Sequence, residues 1–305
     1  MQNKILIIGA GGQVGQALKE ILGSRAILVG RNILDLSRPS ELGARILEMK
    51  PDAVINAAAY TQVDQAEKEE EQAGVVNAQA PLEIAKACHK LGVCFLTYST
   101  DYVYSGNGVQ AWRESDAISP QNAYGRSKAL GEKLLSEWAP SDFRWLILRT
   151  SWVYSFNGRN FVSTMLKLGS EREELKIVND QVGAPTYALH LASASLAMLE
   201  KLEAGAGLSG AGLSGIYNCA SGGETSWFQF AEEIFSGARG LGREFELQRL
   251  LGISTAEYPT PARRPLNSRL DQSKLFEKFD LELPHYRLGL DSCLRQIMIR
   301  EGKIK

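Results

Sequence analysis

Thiols and imidazoles are few in this 305-residue chain: four cysteines (Cys88, Cys94, Cys219, Cys293) and three histidines (His89, His190, His285). The cysteines form no C-x-x-C pair, and no His/Cys group has zinc spacing, so no metal is expected. Thiols this sparse and unpatterned fit a reducing cytoplasm. An excess of one charge is also lacking, with 34 Lys+Arg against 35 Asp+Glu. That balance argues against a nucleic-acid or membrane-surface binder, while leaving room for a local basic pocket. Long apolar runs are missing too. The longest are strand-sized, far short of the ~20 residues that cross a bilayer. Lys4–Ile8 reads as a strand with no charged and apolar leader before it, so a cleaved export signal is not expected.

What is present is the material of an ordinary globular protein, 44% hydrophobic and about two domains long. Short apolar runs at Ile5–Ile8, Ile27–Val29, Ala53–Ile55, Phe95–Leu96 and Leu146–Leu148 suit parallel strands buried between two helical layers. Helical patterns separate them at Val14–Leu22, Pro39–Met49, Asp64–Leu91 and Asn122–Trp138. The alternation predicts an α/β fold with a Rossmann-type, doubly wound parallel sheet over residues 1–150. Beyond Arg149 the pattern is less regular, with helix-like stretches at Asn160–Leu168, Leu189–Leu199 and Thr225–Phe235. Residues 151–305 are expected to form mainly a smaller substrate domain, interleaved with the first. Within them A-G-L-S-G occurs twice in succession (206–210 and 211–215), which reads as a flexible surface loop.

Gly9-Ala10-Gly11-Gly12-Gln13-Val14-Gly15 follows the first strand and opens the first helix. Glycines at Gly9, Gly12 and Gly15 permit a tight turn, close approach of the backbone to a pyrophosphate, and close helix–strand packing. The helix N-terminus then offers N–H groups to the phosphates. A plain tight turn is the alternative. At the end of the second strand, Val29-Gly30-Arg31-Asn32 has no carboxylate for a ribose 2′-hydroxyl and one Arg for a 2′-phosphate, which tilts the choice to NADPH. Asp35 keeps NADH open.

Tyr124 and Lys128 stand four residues apart in a helical run, so phenol and ammonium project from one face. A neighbouring cation favours the phenolate and brings the phenol toward working pH. Such a Tyr protonates a carbonyl oxygen as hydride reaches its carbon. Upstream, the strand end Tyr98-Ser99-Thr100-Asp101-Tyr102-Val103-Tyr104 places Thr100 where it can hold the same oxygen.

Together G-x-x-G-x-x-G, S-T-D-Y-V-Y and Y-x-x-x-K resemble the extended short-chain dehydrogenase/reductase superfamily. The segments N-A-A-A-Y-T-Q-V-D-Q-A-E (56–67), R-T-S-W-V-Y (149–154), N-D-Q-V-G-A-P-T (179–186) and A-R-R-P (262–265) narrow the resemblance to the dTDP-4-dehydrorhamnose reductase family. It implies reduction of dTDP-4-dehydro-β-L-rhamnose to dTDP-β-L-rhamnose by NADPH or NADH. Tyr124 would be the general acid, Lys128 the ribose anchor that lowers the Tyr pKa, and Thr100 the third member of the triad. Cofactor contacts carry over to Gly12, Gln13 and Val14, to Asp35 and Leu36, and to Ala59, Tyr60 and Thr61. Substrate contacts carry over to Thr100, Asp101 and Trp152.

Trp152 also offers a flat apolar wall to a 6-deoxy sugar. Arg263 and Arg264 have the forked donors that grip a diphosphate, though a solvated basic pair looks the same. Asp64 and Glu67 read as helix-start carboxylates outside the site. Two departures stand out. Ala17 occupies the place of a first-helix carboxylate that helps hold Mg²⁺ at a dimer contact in some members, and Gly30 replaces a frequent acidic residue. The expected partner is a nucleotide-sugar substrate, with neither nucleic acid nor membrane; a homodimer is compatible and the oligomeric state stays open. Two rival readings stand beside the reductase. A related nucleotide-sugar dehydratase would carry Asp-Glu where this chain has Asp101-Tyr102, and an epimerase would retain its cofactor through turnover. A non-catalytic subunit resembling the regulatory subunit of methionine adenosyltransferase shares many of the same motifs.

Overall fold

A computed structural model describes residues 3–204 and 210–304 of the chain. In the first half, β1 (Ile5–Ile8), α1 (Gln13–Leu22), β2 (Ala26–Val29), α2 (Pro39–Met49) and β3 (Ala53–Asn56) alternate without interruption. There follow α3 (Val63–Ala66), α4 (Glu70–Gly74), α5 (Ala80–Leu91), β4 (Cys94–Thr100), α6 (Ala123–Trp138) and β5 (Trp145–Thr150). The single helix expected over Asp64–Leu91 is thus three helices. The first turn ends at Ala66, and a five-residue π-helical segment, Val75–Gln79, joins α4 to α5. Pro81 fits there because it stands in the first turn of α5, where no helical N–H is needed.

The second half runs β6 (Val153–Tyr154), α7 (Phe161–Gly169), β7 (Glu174–Val178), β8 (Val182–Gly183), β9 (Thr186–Tyr187), α8 (Ala188–Ala204) and β10 (Gly215–Asn218). It closes with β11 (Thr225–Ser226), α9 (Trp227–Gly240), β12 (Arg249–Ile253), β13 (Asn267–Ser268), α10 (Ser273–Phe279) and α11 (Tyr286–Arg300). The central sheet has six parallel strands in the order β10-β5-β4-β3-β1-β2. Its sixth strand therefore comes from the C-terminal half, as does α8, which packs on α1. Every residue of β1, β3 and β5 is buried, as strands covered on both faces require.

One apolar layer joins α1, α8 and α10 to one face of the sheet, and another joins α2 and α5 to the opposite face. A third core, around Phe230, Phe235, Tyr154 and Leu294, holds α7, α9 and α11 together. The strand order reverses between β1 and β3, and open α/β sheets bind ligands in the crevice at such a switch point. The expected loop over 206–215 falls partly outside the described residues. Its second copy is engaged at its end: Ser214 Oγ donates to the Phe143 carbonyl and accepts from the Trp145 N–H at the start of β5, and Gly215 opens β10. No described helix is long and apolar enough to cross a membrane.

Candidate active site

The glycine turn occupies the switch point. Gly9 has φ +86°, and a Cβ there would lie 2.6 Å from the Ala58 nitrogen at the end of β3. At Gly15 a Cβ would meet the Gly9 carbonyl oxygen at 2.2 Å, so α1 approaches β1 only without side chains. Gly12 caps α1 with no side-chain hydrogen bond, leaving the helix N-terminus for an anionic group. A cavity of about 560 Å³ opens beside this turn, lined by Gly9, Gly30, Arg31, Asp35, Leu36 and the strand-end residues Ala59, Tyr60 and Thr61. A bare-backbone turn, an uncapped helix end and an adjoining cavity are what a dinucleotide requires, and the residues fit one.

Asp35 accepts hydrogen bonds from the Ser37 N–H (3.0 Å) and Ser37 hydroxyl (2.8 Å), and Arg31 pairs with it at 3.3 Å. The Ser37 N–H, seconded by the Ser37 hydroxyl and Arg31, holds the Asp35 carboxyl below its ordinary value. The acid that would bond a 2′-hydroxyl and the cation that would take a 2′-phosphate therefore share one corner. Val14 packs against the core beneath the sheet. Gln13, expected as a cofactor contact, also forms a bridge: its amide donates to the Val153 carbonyl (3.2 Å) and accepts from Asn160 (3.0 Å), tying the glycine turn to β6 and the start of α7.

Thr100, Asp101, Tyr124 and Lys128 come together where β4 ends against α6. Asn122 caps α6 by accepting the Gly125 N–H at 2.8 Å, and Gly125 allows the helix to lie on the Tyr102 carbonyl, which a Cβ would approach to 2.3 Å. Thr100 Oγ1 donates to Asp101 Oδ1 at 3.0 Å and accepts from the Tyr102 N–H at 3.2 Å, and Tyr102 stands edge-on to Tyr124 at 5.5 Å. Lys128 Nζ donates to the Tyr98 carbonyl at 3.0 Å. Burial pushes the Tyr124 phenol up, with Thr100 pulling it back. Burial draws Lys128 itself down to about 8, against the pull of Glu132. Burial likewise raises the Asp101 carboxyl to about 6, against hydrogen bonds from Ser268 and Thr100. Ser99 Oγ, Asp101 Oδ2 and Thr150 Oγ1 are buried without a hydrogen-bond partner among the described residues. Orphaned polar atoms at the C-terminal ends of β4 and β5 mark where a polar ligand would be received.

Beside this group lies a cleft of about 820 Å³, lined by Tyr102, Asp64 and Arg264 on one side and by Phe161, Leu168, Ile177 and Trp227 on the other. Arg264 meets Asp64 at 2.6 Å and Tyr102 at 3.4 Å. Arg263 does not line the cleft. Its carbonyl is held by the Asn122 amide at 2.8 Å and its exposed side chain turns to Gln121, so the two arginines act separately. Trp152 has φ +51°, rare for a bulky residue, and stacks on Trp227 with centroids 3.6 Å apart.

Several site residues carry no local sequence signal. Asp64 pairs with an arginine 200 positions away and also accepts the Ala262 N–H. Glu67 accepts the Ala123 N–H, a second cap on α6. Asn77, in the π-helical segment, holds both the N–H and carbonyl of Tyr60 and donates to Ser127 on α6. For these the spacing is long or the residue type ambiguous. Trp227 was within reach, since Ser226 three residues before Gln229 forms a capping box that places Trp227 at the first helical position. Among the described residues no three His, Cys, Asp or Glu side chains gather as a metal site.

Comparison with known proteins agrees with this geometry. Residues 3–299 match the family model described as RmlD substrate binding domain. The dTDP-4-dehydrorhamnose reductase of Burkholderia thailandensis is 42% identical, covering 97% of this chain and 99% of its own. That of Escherichia coli K12 is 40% identical, covering 96% and 97%. Among solved structures, the dTDP-4-dehydrorhamnose reductase of Bacillus anthracis in complex with NADP superposes with a TM-score of 0.86 at 35% identity, covering 97% of this chain and all of that one. With 40% identity along nearly the whole chain and the reductase motifs gathered at one sheet edge, the chain belongs to the dTDP-4-dehydrorhamnose reductase family.

Proposed function

We propose that the protein reduces the C4 carbonyl of dTDP-4-dehydro-β-L-rhamnose to give dTDP-β-L-rhamnose, using NADPH or NADH. The observation that carries this reading is the convergence of Thr100, Tyr124 and Lys128 at the C-terminal edge of β4, where Tyr102, edge-on to Tyr124, lines the cleft. Bound cofactor supplies the hydride. Tyr124, kept protonated by burial, delivers the proton to the sugar C4 oxygen. Thr100 orients that oxygen, and Lys128 anchors the nicotinamide ribose through the donors it does not give to Tyr98.

Asp101, with one unpartnered oxygen, receives a sugar hydroxyl. Trp152 and Trp227 form an apolar wall for the deoxy sugar. Arg264 binds the diphosphate by exchanging Asp64 for phosphate oxygens. In this division residues 1–150 hold chiefly the dinucleotide and residues 151–305 chiefly the substrate. The four cysteines are buried and unpaired, which supports a cytoplasmic setting.

The test is NADPH and NADH oxidation by the purified protein with freshly made dTDP-4-dehydro-β-L-rhamnose, for the wild type and Tyr124→Phe. Substrate-dependent oxidation is expected in the wild type, with turnover lowered about 10²- to 10⁴-fold in the variant and cofactor affinity nearly unchanged. The ratio of the two cofactor rates reads the Arg31–Asp35 corner. No oxidation by folded, cofactor-binding protein overturns the substrate assignment, and full turnover by Tyr124→Phe overturns the acid.

A further inference from the structure

Behind Lys128 lies an ion pair that the proposed reaction does not use. Glu132 is one turn along α6 from Lys128, on the same face, and its carboxylate is gripped by Arg149 of β5 at 2.9 and 2.6 Å. Both side chains are only 2% exposed. Arg149 also donates to the Tyr104 hydroxyl at 2.6 Å. A buried pair of this kind is a weak source of stability, because desolvating two charges cancels most of their attraction, and apolar residues of similar volume commonly replace it without loss. Stability alone therefore does not account for it.

Its position does. Lys128, Glu132, Ser99, Asn77 and Thr97 line one small pocket of about 10 Å³, the room of a single water. One wall holds the partnerless Ser99 hydroxyl. The other titratable groups around Lys128 are Tyr124 on its own helix, Tyr98 and Asp101 from β4 and its following turn, and Arg149 from β5. Tyr98 turns its hydroxyl to Ser195 of α8, and Arg149 is committed to Glu132 and Tyr104. Asp101 accepts from Thr100 and does not line this space, which leaves Glu132 as the anion that shares it with the lysine.

We propose that Glu132, locked in place by Arg149, is a positioning residue that keeps the buried Lys128 a cation and so able to hold the cofactor ribose. The inference rests on the cofactor-anchoring role of Lys128 given above. Its sign follows from linkage. The lysine is cationic below its pKa, so cofactor affinity is highest there and falls as pH rises through it. That pKa is already drawn down to about 8 by burial, and Glu132 is what holds it up. Removing the carboxylate moves the loss of affinity to lower pH. Removing the arginine frees the carboxylate for the lysine and moves it to higher pH.

The test is NADPH affinity from nicotinamide fluorescence between pH 6 and 10, for the wild type, Glu132→Gln, Arg149→Met and Lys128→Met. Thermal unfolding at each pH checks the fold. The wild type should lose affinity with one midpoint, and Lys128→Met should show none. Glu132→Gln should shift the midpoint down by about one unit and Arg149→Met should shift it up. If one of the pair does not fold, the direction in the other decides. Unmoved midpoints, shifts of one sign in both, or no transition in the wild type overturn the proposal. Because affinity is read without turnover, wild-type NADPH binding with no sugar reduction would count against the reductase reading and leave this measurement standing.

Discussion

At the scale of single residues, the candidate site is built from polar groups that the fold buries before any ligand arrives. Asp101 is the sharpest case. It is 2% exposed, has one oxygen without a partner, and its carboxyl is raised by burial from 3.8 to about 6. A carboxyl raised on folding binds its proton more tightly in the native state, so native stability falls as pH rises between about 4 and 6. The cost at neutral pH is of the order of 3 kcal/mol, since each unit is about 1.4 kcal/mol. Urea unfolding from pH 4 to 7 should show this decline in the wild type and lack it in Asp101→Asn. Parallel curves would place the charge elsewhere. The protein thus carries a destabilising group where a sugar hydroxyl is to bind, consistent with strain concentrated at functional sites.

Among the elements, α6 does most to assemble the chemistry, presenting Tyr124, Lys128 and Glu132 in successive turns. Its N-terminus is held from three directions: by Asn122 at Gly125, by Glu67 at Ala123, and by the Asn122 amide reaching the Arg263 carbonyl. Asn122→Ala should lower the unfolding free energy by about 1–2 kcal/mol. It should also raise the KM for the sugar nucleotide, because the segment that carries Arg264 loses its tether. Unchanged KM with lowered stability would confine Asn122 to capping.

The helix itself was legible in the sequence as Asn122–Trp138, because helical spacing is a local signal, and Asn122 proves to be its N-cap. So were β1 to β5 and the glycine turn. The break of the presumed Asp64–Leu91 helix was not legible, since every segment of it has helical composition and the turns are set by packing against α6. Nor was the entry of β10 into the main sheet, a four-residue strand whose place depends on β5 alone. The partners Asp64–Arg264 and Glu132–Arg149 lie 200 and 17 residues apart, and one sequence does not announce such pairings.

For the molecule as a whole, the two halves of the chain are laced together rather than joined at a hinge. Strand β10 and helix α8 from the second half complete the first half's sheet and its cover. Gln13 fastens the glycine turn to Val153 and Asn160 on the substrate side. Gln13→Ala removes two hydrogen bonds worth about 1 kcal/mol each. Cofactor affinity and sugar-nucleotide KM should therefore weaken together, each severalfold, with kcat less affected. Titration of each ligand separately would show it, and a change confined to the cofactor would remove the bridge from the account.

The duplicated A-G-L-S-G carries a consequence for how this chain tolerates change in length. Among the described residues of the second copy, Leu213 accepts from the Tyr217 hydroxyl and packs on the core, Ser214 is tied to the backbone around β5, and Gly215 opens β10. Because the copies are identical, losing or gaining one five-residue unit by replication slippage leaves the same Leu-Ser-Gly at the mooring and the same strand behind it. A chain with one five-residue unit removed should therefore keep β10 paired with β5, and thermal unfolding of that variant checks it.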